Sequence, residues 1–238
     1  MPSKPWATSD ERTRLLERIR RRFDITMDQH DIGPFHLPFT RVRDPDVVLD
    51  EVVAAEDRRK KLTGLRHASD ELHLPYWAEL WDSAVGVGEY IASVKRPAGR
   101  TALDLGCGMG FTGMVAAAAG FEVLAADLEP DALLFARLNI GCPARRLNWR
   151  TDSTGHRFDL IIGADVLYDK TEWEFLERFW RNNLAEGGTV ILGEPGRQTG
   201  DLFLEWIASK DWSVRKEEQR VKTRAVPIRL FVLTRAPV

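Results

Sequence analysis

Residues 101–113 read TALDLGCGMGFTG, and the fold follows from them. A short apolar run ends at Asp104, and glycines follow at Gly106, Gly108, Gly110 and Gly113. An alanine-rich stretch, MVAAAAG, comes next and reads as a helix packed back on the strand. A buried strand that feeds a glycine turn and then a helix exposes backbone N–H groups to a ligand, as α/β folds do. Glycine suits such a turn because a Cβ would collide with the ligand and because some turn positions need a positive φ.

Gly108, Gly110 and Gly113 also fit the dinucleotide pattern G-x-G-x-x-G, so the choice of ligand falls on Asp104. A carboxylate at the mouth of the turn would repel a pyrophosphate, whereas it suits a ligand carrying an ammonium and a sulfonium. The pattern D-x-G-x-G-x-G resembles motif I of the class I S-adenosylmethionine-dependent methyltransferases. That resemblance implies S-adenosylmethionine as cofactor, with Gly106, Cys107 and Gly108 against it.

From Thr101 onward strands and helices alternate, which indicates a parallel sheet with right-handed crossovers. Strands are expected at Ala102–Leu105, at FEVLAAD ending in Asp127, near Arg145–Trp149, at FDLIIGAD ending in Asp165, and at Gly188–Gly193. Helices are expected over Asp131–Ile140, Glu172–Leu184 and Leu202–Ser209. The last two strands, near Trp212–Glu217 and Ile228–Thr234, are joined by too short a link for a crossover and form an antiparallel hairpin. Seven strands ending in that hairpin is the Rossmann-like layout that the resemblance implies.

Ligands of such sheets bind outside the carboxyl ends of the strands. Asp127 ends the second strand about twenty residues past the glycine loop, where a carboxylate accepts the hydroxyls of a ribose. Leu128 follows it. The resemblance places Asn148 and Trp149, after the third strand, at the adenine, the amide on its edge and the indole on its face. Ala164 and Asp165 close the fourth strand within ADVLYD. An acidic residue followed three positions later by Tyr or Phe resembles the motif of the seven-β-strand protein-lysine methyltransferases, and Asp165 and Tyr168 match it. PYWAELWDSA resembles that family's Trp-bearing segment before motif I, with Trp81 placed to wall a ligand pocket. GEPGR, residues 193–197, resembles the GDPGR after strand five in the branch that includes the methyltransferase of the electron-transfer-flavoprotein β subunit. Asp82-Ser83 departs from that branch's Pro-Gly, and Glu194 stands in for Asp. The resemblance, which spans Leu74 to Arg197, implies that Asp165 and Tyr168 bind and orient an amine, most readily a lysine of a protein substrate. A small-molecule N- or O-methyltransferase is the alternative.

The rest of the chain sets bounds. Of 238 residues, 44% are hydrophobic and 29% charged, and the net charge is −2, which gives no push toward nucleic acid or an anionic membrane. Two cysteines, Cys107 and Cys142, imply no disulfide framework. No apolar run reaches signal-peptide or membrane-spanning length, so a soluble cytoplasmic protein is expected. His30, His36, His67, His73 and His156 are scattered, and no metal site is expected. Prolines before a cysteine and paired prolines after the fourth strand are missing, which argues against base-carbon and exocyclic base-amine acceptors.

Residues 1–73 read as a helical cap on a methyltransferase domain of residues 74–238. Thr8 and Glu11 have capping-box spacing ahead of a helix with Leu15, Leu16, Ile19 and Phe23 inward. Arg18, Arg20, Arg21 and Arg22 crowd its end. Asp24 to Asp44 reads as irregular. Asp44 is an N-cap with Pro45 at the first helical position, and Asp82 or Ser83 is expected to cap the helix before the glycine loop.

Overall fold

The structure, a computed structural model, describes residues 9–64, 74–94 and 99–235. Seven strands form the main sheet: β3 (Thr101–Leu105), β4 (Glu122–Asp127), β5 (Ala144–Arg146), β6 (Phe158–Ala164), β7 (Leu184–Glu194), β8 (Trp212–Gln219) and β9 (Ile228–Arg235). They lie in the order β5-β4-β3-β6-β7-β9-β8. β3 pairs in parallel with β4 and β6, and β6 with β7, while β9 runs antiparallel to both β7 and β8. The expected mostly parallel sheet with a terminal antiparallel hairpin is what forms.

Strands buried on both faces alternate their side chains between two apolar layers. Ala102, Leu160 and Ile162 face one layer with α3 (Asp82–Ser93), α4 (Phe111–Ala118) and α5 (Pro130–Ile140). Leu103, Leu105 and Ile161 face the other with α6 (Trp173–Asn183) and α7 (Gln198–Ile207). α6 buries Trp173, Leu176, Phe179 and Trp180, a helical spacing that lays one face on the sheet.

The segment before the sheet carries both expected helices, with a hairpin in place of the irregular stretch between them. After α1 (Ser9–Arg20), β1 (Ile25–Ile32) and β2 (Phe35–Val42) form an antiparallel hairpin, and only then does α2 (Pro45–Thr63) follow. Asp24 to Asp44 reads as irregular because Asp28, Gln29, His30 and Asp31 interrupt apolar alternation and Pro38 sits within β2. Cross-strand charge replaces it: Arg41 Nε donates to Asp28 at 2.5 Å. The two-residue link Gly33-Pro34, with Gly33 at φ 54°, was the available signal. Phe39, Ile32 and Val42 are buried beneath the hairpin.

α1 and the hairpin pack on α4 and α5 rather than on a sheet edge. Arg22 pairs with Asp131 (Nη2 to Oδ2, 2.7 Å), and Arg137 with Glu11 at 2.8 Å. Phe39 and His30 meet the Phe111 ring at 5.2 and 5.0 Å. Asn139 ties the pieces together, accepting from Thr40 N–H at 2.9 Å and donating to the Thr40 and Met109 carbonyls at 2.8 and 2.9 Å. Asp44 caps α2 as expected, accepting from Asp46 N–H at 3.1 Å. Thr8, His67, His73 and the boundary at 73/74 lie outside the described residues. Among the described residues no helix is long and apolar enough to cross a membrane.

Candidate active site

A cavity of about 840 Å³ opens at the carboxyl ends of β3, β4 and β6, where an open parallel sheet receives its ligand. Its wall includes Trp81, Gly106, Cys107, Gly108, Asp127, Leu128, Asn148, Trp149, Ala164, Asp165 and Tyr168. Eleven of the twelve site residues expected from the sequence therefore share one cavity.

The twelfth is Asp104, which is 1% exposed and does not line it. Alternation along β3 turns Asp104 toward α4, where it accepts the Thr112 hydroxyl at 2.6 Å and Gly113 N–H at 2.8 Å. Burial pushes its carboxyl up to about 6 against those two hydrogen bonds. In this structure the carboxylate holds the start of α4 to the end of β3.

The glycine loop is shaped by its neighbours. Gly110, at φ 86°, begins α4, and a Cβ there would lie 2.8 Å from the Ala136 backbone of α5. Gly108, at φ 50°, turns its N–H onto Asp127 Oδ2 at 2.8 Å. Asp127 Oδ1 accepts Glu129 N–H at 3.0 Å, and burial raises its carboxyl despite these bonds. Trp149 is set by Glu172, whose carboxylate accepts the indole N–H at 2.6 Å and pairs with Arg150 (Nε to Oε1, 2.9 Å). Asn148 spends its side-chain oxygen on Arg150 N–H at 2.9 Å.

At the other end of the cavity, Asp165 leaves β6 at φ 60°, the left-handed region that a non-glycine residue seldom occupies. Its N–H donates to the Gly193 carbonyl at 2.9 Å, its Oδ2 accepts Ser83 Oγ at 3.1 Å, and its Oδ1 pairs with Arg197. Burial raises this carboxyl while Arg197 pulls it back. Ser83 thus serves Asp165, and the expected cap of α3 is corrected: Trp81 occupies the N-cap position, with no side-chain cap bond. Tyr76 and Tyr168, both half exposed, stand at the mouth with ring centroids 6.1 Å apart. Trp81 lies 6.3 Å from Tyr76 and donates its N–H to the Tyr76 carbonyl at 2.9 Å.

Sequence reasoning assigned no site role to Ser83, Glu172 or Arg197. Arg197 ends the segment GEPGR, so a signal was present without a partner to give it meaning. Ser83 likewise stood in the segment PYWAELWDSA, 82 residues from its partner, and Glu172, 23 residues from Trp149, carried no signal.

Residues 64–209 match the model of the family described as lysine methyltransferase, well over half of the chain. The chain belongs to that family. Within it, this lysine methyltransferase family member is 33% identical over 135 residues to the electron transfer flavoprotein beta subunit lysine methyltransferase of Mus musculus, covering 52% of this chain and 51% of that protein. It is 32% identical over 143 residues to the protein N-lysine methyltransferase METTL21A of Danio rerio, covering 54% of this chain and 64% of that one. The chain thus spans about half the length of the flavoprotein-directed relatives it matches. The fold is also that of a TehB-like SAM-dependent methyltransferase from Corynebacterium glutamicum, with TM-score 0.53 and 20% identity over 81% of this chain and all of that one. A glycopeptide N-methyltransferase, MtfA, superposes with TM-score 0.55 at 14% identity, covering 66% of this chain and 91% of that one.

Proposed function

We propose that this protein transfers methyl groups from S-adenosylmethionine to a lysine side chain of a protein. The observation that carries the reading is the pairing of a lysine methyltransferase family core with a cavity whose far end joins a buried carboxylate, Asp165, to an aromatic mouth.

The cavity fits the cofactor by the chemistry of its wall. Gly106 and Gly108 would leave bare backbone for the methionine portion, Asp127 would offer acceptors to the ribose, and Leu128 and Trp149 would offer apolar surface to the adenine. Bound S-adenosylmethionine supplies a methyl on a positive sulfur, which departs as a neutral thioether when a nitrogen lone pair displaces it. The protein's part is then to position the acceptor and keep water out. Tyr76, Trp81 and Tyr168 give faces on which an alkyl-ammonium side chain can lie. Asp165 accepts a hydrogen bond from the amine and orients it. Free lysine holds its proton to about pH 10.4, so the amine must shed it to solvent before transfer. Two buried free cysteines fit a reducing compartment.

Incubating the protein with radiolabelled S-adenosylmethionine and an extract of its own source tests the reading. A discrete labelled protein band is expected, lost in Asp165→Ala while that variant still binds the cofactor. Label confined to the small-molecule fraction would transfer the assignment to N- or O-methylation of a metabolite. Full turnover by Asp165→Ala would remove Asp165 from the acceptor site.

A further inference from the structure

The turn after β7 carries charge that the reaction just described does not use. Glu194, 2% exposed, accepts Gly196 N–H at 2.8 Å, the N–H of Arg197, and Arg229 Nε at 2.7 Å. Arg229 also donates to the Arg197 carbonyl at 2.7 Å and pairs with Asp201 at 2.5 Å. The packing is close: a Cβ on Gly200 would lie 2.5 Å from Arg229 and 2.7 Å from Glu194. Arg197 is therefore fixed through both its N–H and its carbonyl. Its side chain leaves this scaffold, passes 5.9 Å from the Trp81 ring, and reaches the Asp165 carboxylate at the cavity wall.

We propose that Arg197 is a positioning residue for the acceptor amine: it neutralises Asp165, so that an incoming amine meets an ion pair and releases its proton more readily than it would beside a bare carboxylate. The inference rests on the N-methyl transfer reading above. The groups around Asp165 make the role specific. α3 contributes the neutral Ser83, and β7 the carboxylate of Glu194, which Arg229 already holds. Glu79 approaches from the loop before α3, its carboxyl raised by burial and by Asp46, Asp82 and Asp165. Tyr168 has the carboxylates of Glu172, Asp169 and Asp127 nearby, and burial with these anions raises its hydroxyl. Arg224 lies toward Asp82, at 3.8 Å, and Arg150 toward Glu172. Among the described residues, Arg197 is the cation that the structure brings onto Asp165. A nearby opposite charge shifts an ionisable group by roughly 1–3 pH units, so an unpaired Asp165 would hold the amine in its ammonium form.

The test compares wild type, Arg197→Met and Arg197→Lys. Initial labelling rates of extract proteins from radiolabelled S-adenosylmethionine are followed from neutral to alkaline pH, with cofactor affinity and urea midpoints as controls. Arg197→Met is expected to move the midpoint of the rate upward by about one pH unit or more, with cofactor affinity within about threefold. Arg197→Lys is expected to leave the midpoint in place. If Arg197→Met does not fold, Arg197→Gln is read in the same way. A second readout needs no turnover: in ¹³C-carboxyl NMR of the protein alone, the Asp165 titration should rise in Arg197→Met and hold in Arg197→Lys. A uniform loss of rate without a midpoint change, or an unmoved Asp165 titration, overturns the inference while leaving methyl transfer intact. A wild type that binds the cofactor and labels no protein or metabolite overturns the transfer reading itself, and the inference with it.

Discussion

Asp104→Asn separates a structural carboxylate from a ligand-binding one. Burial pushes the Asp104 carboxyl from 3.8 up to about 6 in the folded protein. That difference corresponds to about 3 kcal/mol at about 1.4 kcal/mol per pH unit. A carboxyl raised by folding contributes stability that is fully present below its unfolded value and is lost as pH climbs through its folded value. Wild type should therefore lose about 3 kcal/mol of stability from this group between about pH 4 and pH 7. Asparagine can keep the geometry, with its carbonyl accepting Gly113 N–H and its amide donating to the Thr112 hydroxyl oxygen. Urea unfolding of both proteins across that range should show the variant gaining on wild type by about 3 kcal/mol as pH rises. Calorimetric titration of S-adenosylmethionine at neutral pH should give affinities within about threefold, because Asp104 does not line the cavity. A stability difference independent of pH would refute the buried-charge reasoning. A loss of affinity of about a hundredfold, equivalent to about 2.7 kcal/mol, would put the carboxylate on the ligand after all.

Two further substitutions probe the cavity floor and the hairpin. Asp127→Ala removes the acceptor that fixes Gly108 N–H and the groups proposed for the ribose; cofactor affinity measured by calorimetry should fall at least about tenfold, and unchanged affinity would remove Asp127 from the site. Asn139→Ala strips three hydrogen bonds that join β2 and the glycine loop to α5, and should lower the unfolding free energy by about 2–4 kcal/mol in urea; a cost below about 0.5 kcal/mol would mean that the hairpin is held by its apolar face alone.

The middle of the main sheet was legible because β3, β6 and β9 are buried and read as near-continuous apolar runs, whereas β5 (ARR) and β8 (WSVRKEEQ) at its edges are charged. The walls of the cavity were legible for a related reason: they stand at strand ends, and strand ends could be placed. Asp104 shows the limit. Its position in the motif was plain, but the alternation that turns it toward α4 depends on which face of β3 the helix covers, a tertiary fact. Asp165 was singled out by its spacing to Tyr168, whereas its contacts with Arg197 and Ser83 join separate elements and have no local pattern. The hairpin was missed because its strands are matched by the Asp28–Arg41 pair and by burial under Phe39, and neither produces a clean period of two.

The clamp made by Asn139 also sets an order of events during synthesis. Thr40 and Asn139 are 99 residues apart, and chain growth at about 5–20 residues per second separates their emergence by roughly 5–20 s. For that interval β1 and β2 can pair with each other but have no Asn139 to hold Thr40, and for most of it no Phe111 to cover Phe39. The hairpin is local and quick to form, in about 1–10 microseconds, yet its docking waits on the slow non-local closure. The early chain must therefore carry an uncovered apolar face through much of translation. Asp31 and its cross-strand partner His36, on the other face of the hairpin, keep that face polar while it waits.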